Sequence, residues 1–172
     1  MAKRDRITEL LKHLDDALEQ DERLVVCGGM ALMLAYGGKR QTFDVDIIAP
    51  LPMSDHLKKK VREVAQLMEV DPLWLNDSAK GFASYLPEGW ETRLVEVDLG
   101  FKKLSLFSIG RPDLIMLKLK AGRAKDMSDV REMNMTNEEA EIVLANLERI
   151  SVFDSKAGLT IRLLLEEWGF VT

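Results

Sequence analysis

Two aspartates one residue apart, Asp44 and Asp46, are the strongest candidates for chemistry in this sequence. They lie in a segment, residues 43–48, that alternates apolar and acidic side chains and stops before Pro50, which predicts a β-strand. Positions i and i+2 of a strand project from one face, so both carboxylates point together. A hard cation such as Mg²⁺ or Mn²⁺ relieves their repulsion and also contacts substrate phosphates. The alternative interpretation is a solvated strand face, because acid-x-acid spacings are common.

A pair of glycines, Gly28 and Gly29, separates a β-prone run over residues 23–27 from a helical pattern over residues 30–36. Glycine lets the backbone approach a ligand closely, and a helix N-terminus presents unpaired N–H groups with a partial positive charge. This combination favours phosphate binding. The alternative is a tight turn without a ligand.

A second acidic pair, Glu96 and Asp98, lies in residues 94–99, which alternate strictly and predict another strand. Residues 103–108 are expected to pair with it as a hairpin. If this strand lies beside the first, its acids join Asp44 and Asp46 in a cluster that could hold two metal ions. Alternation cannot choose between Glu96 and Asp98, and a polar sheet face is the alternative.

One lysine is misplaced on the helix predicted over residues 111–122. Lys118 falls in the middle of the apolar face, whereas Lys120 falls on the polar side. A lysine in an apolar face needs a partner, such as a carboxylate cluster or a bound triphosphate, or a route to water along the core edge. Asp126 follows the helix break at Gly122 and could be an N-cap.

The remaining pattern predicts helices at both ends of the chain and one domain. Helical spacing recurs at 7–18, 54–68, 126–133, 136–150 and 156–168, and residues 71–91 show no clear period. We expect a single domain over residues 1–172, with a core at about 20–131 and C-terminal helices at about 136–170. The order of elements favours an α+β or α/β class.

Composition excludes several classes of protein. The chain has 172 residues, of which 47% are hydrophobic, and a single cysteine, Cys27, so an intramolecular disulfide is impossible. The net charge of −5 argues against a general nucleic-acid binder. We find no signal peptide and no long apolar run, and therefore expect a cytoplasmic protein without a membrane anchor.

Cys27-Gly28-Gly29 followed by Arg40-x-Thr42-x-Asp44-x-Asp46 resembles the nucleotidyltransferase superfamily that includes DNA polymerase beta and the minimal nucleotidyltransferases. The later strand acid belongs to the same pattern. The segment 113–129, with its Lys-Leu-Lys-Ala-Gly-Arg-Ala-Lys-Asp run, is similar to a bacterial nucleotidyltransferase-like group related to the toxin of the AbiE abortive-infection system.

This resemblance implies a nucleotidyltransferase fold: a small mixed β-sheet flanked by helices, with a helical C-terminal part. It also implies Mg²⁺ (or Mn²⁺) and a nucleoside triphosphate at one edge of the sheet. The implied metal ligands are Asp44, Asp46 and Asp98, with Glu96 as the alternative third acid, and the catalytic set adds Lys118. The implied nucleotide-binding residues are Gly28, Gly29, Arg40, Thr42, Lys118, Arg123 and Asp126.

Three functions follow from these observations. The first, which the combined motifs favour, is an enzyme that transfers a nucleoside monophosphate to a hydroxyl of RNA, protein or a small molecule, as a toxin or in another role. The second is a non-catalytic protein of the same fold that binds a nucleotide or a partner protein, such as one half of a toxin–antitoxin pair. The third is a structural module whose acids are solvated. No segment identifies the acceptor.

Overall fold

A computed structural model describes residues 3–39 and 42–171 of the chain. They group into two compact units, of which the first comprises Met1–Ala83 and Leu94–Ile109, and the second comprises Ser84–Arg93 and Gly110–Thr172. The expectation of one domain over residues 1–172 stays a prediction.

The first unit is built on a mixed sheet of five short strands. The strands are β1 Glu22–Val26, β2 Val45–Ala49, β3 Leu75–Asn76, β4 Val95–Glu96 and β5 Leu104–Ser108. Their order is β3-β2-β1-β5-β4. Strand β1 runs antiparallel to β2 and parallel to β5, β3 is parallel to β2, and β4 is antiparallel to β5. The predicted hairpin is therefore confirmed, although β4 is a two-residue edge strand.

Three helices belong to the first unit: α1 Lys3–Ala17, α2 Gly28–Ala35 and α3 Asp55–Met68. Helix α3 begins where the sequence predicts, because the Ser54 hydroxyl accepts a hydrogen bond from the backbone N–H of Leu57 at 3.1 Å. The first three residues of β2 alternate as expected, since Val45 and Ile47 are fully buried whereas Asp46 is half-buried, but Ile48 is buried as well.

The second unit is helical, with α4 Arg111–Ala121, α5 Ala124–Met133, α6 Asn137–Phe153 and α7 Ser155–Glu167. Short 3₁₀ segments cover Ser78–Tyr85, most of which belongs to the first unit, and Trp90–Arg93. Helix α4 packs against α5, α6 and α7, and its residues from Pro112 to Leu119 are all buried. Thr136 and Glu139 form the predicted capping box at the start of α6. A mixed sheet flanked by helices and followed by a helical C-terminal part confirms the predicted fold class.

Two properties of the described residues bear on membranes and redox chemistry. Helices long and apolar enough to span a bilayer are missing from the described part of the chain. Cys27 is a buried free thiol, and since it is the single cysteine of the sequence, no intramolecular disulfide forms.

Candidate active site

The glycine turn and the Asp-x-Asp strand meet in the first unit. Gly28 opens helix α2 with a φ of +64°, a left-handed conformation that favours glycine. A Cβ atom on Gly28 would lie 3.2 Å from Oδ2 of Asp46, so the missing side chain is what lets this carboxylate approach the helix N-terminus. The backbone fixes the same contact, because the N–H of Cys27 donates to the Asp46 carbonyl at 2.9 Å. The two parts of the sequence motif, the glycine pair and Asp46, are therefore in direct contact in the fold.

Thr42 links the second glycine to the first aspartate. A Cβ atom on Gly29 would lie 3.2 Å from the Cβ of Thr42, so the threonine packs directly on the turn. Its hydroxyl donates a hydrogen bond to Oδ1 of Asp44, which orients that carboxylate. Arg40, the other residue predicted to bind nucleotide in this segment, lies outside the described residues.

Asp44 and Asp46 suit a magnesium ion that takes its other ligands from a substrate. Asp44 is exposed and immediately precedes β2, and Asp46, the second residue of that strand, is half-buried. Among the described residues, no group of three or more His, Cys, Asp or Glu side chains is arranged to hold a metal. Mg²⁺ commonly binds one or two carboxylates together with phosphates and water, and a pair of aspartates is therefore a sufficient protein contribution.

The structure does not bring Glu96 or Asp98 to this pair. Strands β1 and β5 stand between β2 and β4, a separation of three strand spacings or about 14 Å. Asp98 is also displaced along the sheet. The N–H of its neighbour Val97 donates to the carbonyl of Leu106, which lies three residues before Ile109, the last residue of this segment of the first unit. Its Oδ1 accepts the N–H of Gly100 at 2.9 Å within its own turn.

Sequence reasoning missed Asn76, which is the direct partner of Asp46 in the sheet. Strands β2 and β3 are parallel, and the Cα atoms of these two residues are paired, so their side chains leave the same face. The Asn76 amide is held in its own loop, donating to the Leu73 carbonyl at 3.1 Å and accepting from the Ser78 N–H at 2.9 Å. A two-residue strand has no period that could have revealed this position.

Lys118 belongs to the second unit, where it is buried among acids. Its side chain is 3% exposed, as the helical pattern predicts, and its Nζ lies 2.6 Å from Oδ2 of Asp129 and 3.7 Å from Oδ1 of Asp126. Both aspartates are equally buried. Arg123 completes the cluster from the surface, since its Nε donates to Asp126 while its own side chain is 61% exposed. Two cations thus balance two carboxylates.

Asp129 is the second residue that sequence reasoning left without a role. It is the nearer partner of Lys118, whereas the sequence pointed to Asp126. The available signal was helical spacing, because positions i and i+3 on α5 share a face.

A glycine turn that opens a helix, joined to an Asp-x-Asp strand in a mixed sheet flanked by helices, defines a protein of the nucleotidyltransferase fold. The chain belongs to a family described as nucleotidyltransferase of unknown function (DUF6036), whose model matches residues 3–158. The predicted superfamily is thereby confirmed, and the closer relationship to the AbiE-system group stays a prediction. Searches of curated proteins and of solved structures each gave no significant match.

Proposed function

We propose that this protein is a magnesium-dependent nucleotidyltransferase that moves a nucleoside monophosphate from a nucleoside triphosphate to a hydroxyl of an acceptor. One observation carries the proposal: the Asp46 carboxylate lies against Gly28 at the N-terminus of α2. Backbone donors suited to phosphate and oxygen ligands suited to Mg²⁺ therefore occupy one place in the first unit.

Each residue has a distinct part in this proposal. The backbone N–H groups of Gly28 and Gly29 donate hydrogen bonds to phosphate oxygens, and the partial positive charge at the N-terminus of α2 favours the anion. Asp44 and Asp46 hold Mg²⁺ (or Mn²⁺), and the Thr42 hydroxyl keeps Asp44 oriented. When bound, the metal supplies neutralisation of the phosphate charge that develops during transfer. Positioning and charge neutralisation carry most of the rate in phosphoryl chemistry.

The proposed reaction is an in-line displacement at the α-phosphate. A bond forms between the acceptor oxygen and the α-phosphorus, the bond from that phosphorus to the β-phosphate oxygen breaks, and pyrophosphate leaves. The proton of the hydroxyl passes to water. RNA, protein and small molecules all offer such a hydroxyl.

The second candidate is a non-catalytic protein of the same fold, and the burial of Lys118 favours it. A lysine that contacts phosphate must expose its ammonium group, whereas Lys118 is 3% exposed and paired with two aspartates. Contact with a phosphate requires Lys118 to leave Asp129. This candidate binds a nucleotide or a partner protein and transfers nothing. A toxin–antitoxin role is compatible with either candidate and rests on the resemblance of segment 113–129.

Isothermal titration of the four nucleoside triphosphates, with and without Mg²⁺, tests the proposal. We expect metal-dependent binding to the wild type that is lost in the double variant Asp44→Asn/Asp46→Asn. Glu96→Gln/Asp98→Asn is the matched control, because it neutralises an acid-x-acid pair at the far edge of the same sheet. It should bind like the wild type.

Wild-type protein that binds none of the four nucleotides would refute the proposal, as would equal loss in both double variants. Incubation with an α-labelled triphosphate and cellular RNA, protein or metabolites then separates the two candidates. Transfer of label to an acceptor supports the enzyme, and binding without transfer supports the non-catalytic protein.

A further inference from the structure

The outer side of helix α7, in the second unit, carries apolar side chains that the fold leaves in contact with water. The residues of α7 that the fold buries are Ala157, Gly158, Ile161 and Leu165. At about 100° per residue, Leu159 and Leu163 lie on the opposite side of the helix. Their side chains are 58% and 54% exposed. Two leucines one turn apart are therefore left uncovered by the described part of the second unit.

A charged residue lies beyond each of the two leucines. Lys156, Leu159, Leu163 and Glu166 are spaced by three, four and three positions, and they fall within about 80° of one another around the helix. We call these four residues the α7 stripe. Lys156 and Glu166 are both exposed and lie about 15 Å apart along the helix axis, too far to pair with each other.

The order of the two charges is unfavourable for α7 by itself. Lys156 lies in the first turn of the helix and Glu166 in the last. The helix dipole favours acids near the N-terminus and bases near the C-terminus, which is the reverse order. Against a partner helix with the opposite direction, the same order of charges becomes favourable.

A second copy of α7 is such a partner, because the α7 stripe is complementary to itself. Two antiparallel copies related by a two-fold axis at the level of Ile161 place Leu159 against Leu163 and Lys156 against Glu166. Each contact occurs twice across the axis. The two ends of the interface therefore carry opposite charges on facing helices, with leucines between them.

The charges also select the direction in which two copies pair. Parallel copies in the same register would bring every charged residue of α7 against itself. In the antiparallel arrangement the residues that flank the stripe oppose no like charge, since Glu167 meets Ser155 and Arg162 meets Thr160. The pattern of charge thus favours one arrangement of the two helices.

We propose that the α7 stripe is an interface at which two copies of this chain associate through antiparallel α7 helices. Each copy contributes two leucines, one lysine and one glutamate, so the contact is small. A small interface is typical of weak, reversible association. The proposal does not depend on the proposed function, because it uses no residue of the Asp-x-Asp site.

Sedimentation velocity of the full-length protein, from about 1 µM to about 1 mM, measures the dissociation constant of the dimer. Lys156→Glu and Glu166→Lys each replace two attractive contacts by two repulsive ones. We expect each variant to dimerise at least about tenfold more weakly than the wild type. The double variant Lys156→Glu/Glu166→Lys restores opposite charges across the axis and should dimerise like the wild type.

The leucines are tested by a pair of double variants. Leu159→Ser/Leu163→Ser removes the apolar part of the stripe and should be monomeric over the whole concentration range. Leu67→Ser/Leu73→Ser is the matched control, because these leucines are 68% and 67% exposed but belong to the first unit. It should dimerise like the wild type, and circular dichroism checks that all variants are folded.

Each outcome decides the proposal. Wild-type protein that stays monomeric at about 1 mM overturns it and leaves the stripe to a partner of another kind. Unchanged dissociation constants in the two single charge variants overturn it as well, as does a charge-exchanged double variant that fails to recover. Equal weakening in the two double serine variants would show that dimerisation does not use α7.

Discussion

Two pairs of aspartates in this protein lie in opposite environments. Asp44 and Asp46 of the first unit are exposed and half-buried, next to a glycine turn. Asp126 and Asp129 of the second unit are each 3% exposed and share the ammonium group of Lys118. In the sequence, both pairs are aspartates at short spacing. In the fold, one pair is partly exposed and the other is buried around a lysine.

The difference shows which pair is available to a ligand. A buried carboxylate needs a permanent counter-charge, and Lys118 and Arg123 provide it to the second pair. That cluster is electrically complete without any ligand. The first pair is less buried and lies beside a glycine turn and a threonine hydroxyl, where the proposed function puts a metal ion and phosphate.

The largest effect that we predict comes from removing the shared counter-charge. Lys118→Met keeps the length of the side chain but removes the ammonium group that both buried aspartates share. Breaking a buried ion pair by removing one partner costs about 3–5 kcal/mol, and we expect a loss of that size in the free energy of unfolding. Urea denaturation followed by circular dichroism measures it.

Lys120→Met is the control for this variant on the same helix. Lys120 pairs with Asp154 at 2.8 Å, but both side chains are 24% exposed, so solvent screens this pair and we expect a smaller loss than in Lys118→Met. Equal losses in the two variants would contradict the distinction between the buried cluster of Lys118 and the partly exposed pair of Lys120.

Another buried carboxylate sharpens the comparison, because Asp15 of the first unit is held by backbone N–H donors and forms no ion pair among the described residues. It is 4% exposed and accepts hydrogen bonds from the backbone N–H groups of Lys102, Lys103 and Leu104. Burial raises the pKa of Asp15, but these three donors more than offset it, so the pKa lies below its ordinary value. Backbone donors thus replace the cations of the second unit.

Asp15→Asn should lower the free energy of unfolding by about 2 kcal/mol at neutral pH, because neutral hydrogen bonds replace charge-assisted ones. A lowered folded-state pKa gives stability that is present above about pH 4 and lost as the pH falls through the folded pKa. The variant should therefore show a flatter acid limb than the wild type in urea denaturation at pH 3–7. Parallel acid limbs would contradict this account of Asp15.

The sequence could predict the local structures of the first site but not the partners of its strands. Alternation places Asp46 on one face of β2, and the glycine pair marks the start of α2, because both signals are short-range. Strand order depends on tertiary pairing, which alternation does not encode. Asp98 is therefore an acid of the expected type that follows β4, the edge strand far from β2. Asn76 pairs with Asp46, but it lies in a segment whose sequence shows no strand or helix periodicity.

The second unit was predictable for a different reason. Helical periodicity extends over many residues, so the position of Lys118 on the apolar face of α4 followed from the pattern, whereas its full burial did not. The choice of Asp129 over Asp126 as its nearer partner did not follow, because both lie on one face of α5 and the difference is about 1 Å. Side-chain packing at that scale is set by the whole core.

The smallest predicted effect on stability tests the glycine turn beside Asp46. Gly28→Ala and Gly37→Ala both place a side chain at positive φ, +64° and +68°, and each should lose about 1 kcal/mol of unfolding free energy. Only at Gly28 does the new Cβ meet Asp46, since no atom of the described residues lies within 4 Å of a Cβ on Gly37. We therefore expect similar stabilities but weaker magnesium-dependent binding of nucleoside triphosphate in Gly28→Ala alone. Equal binding by the two variants would mean that Gly28 serves the turn and that the approach of Asp46 to α2 has no part in holding phosphate.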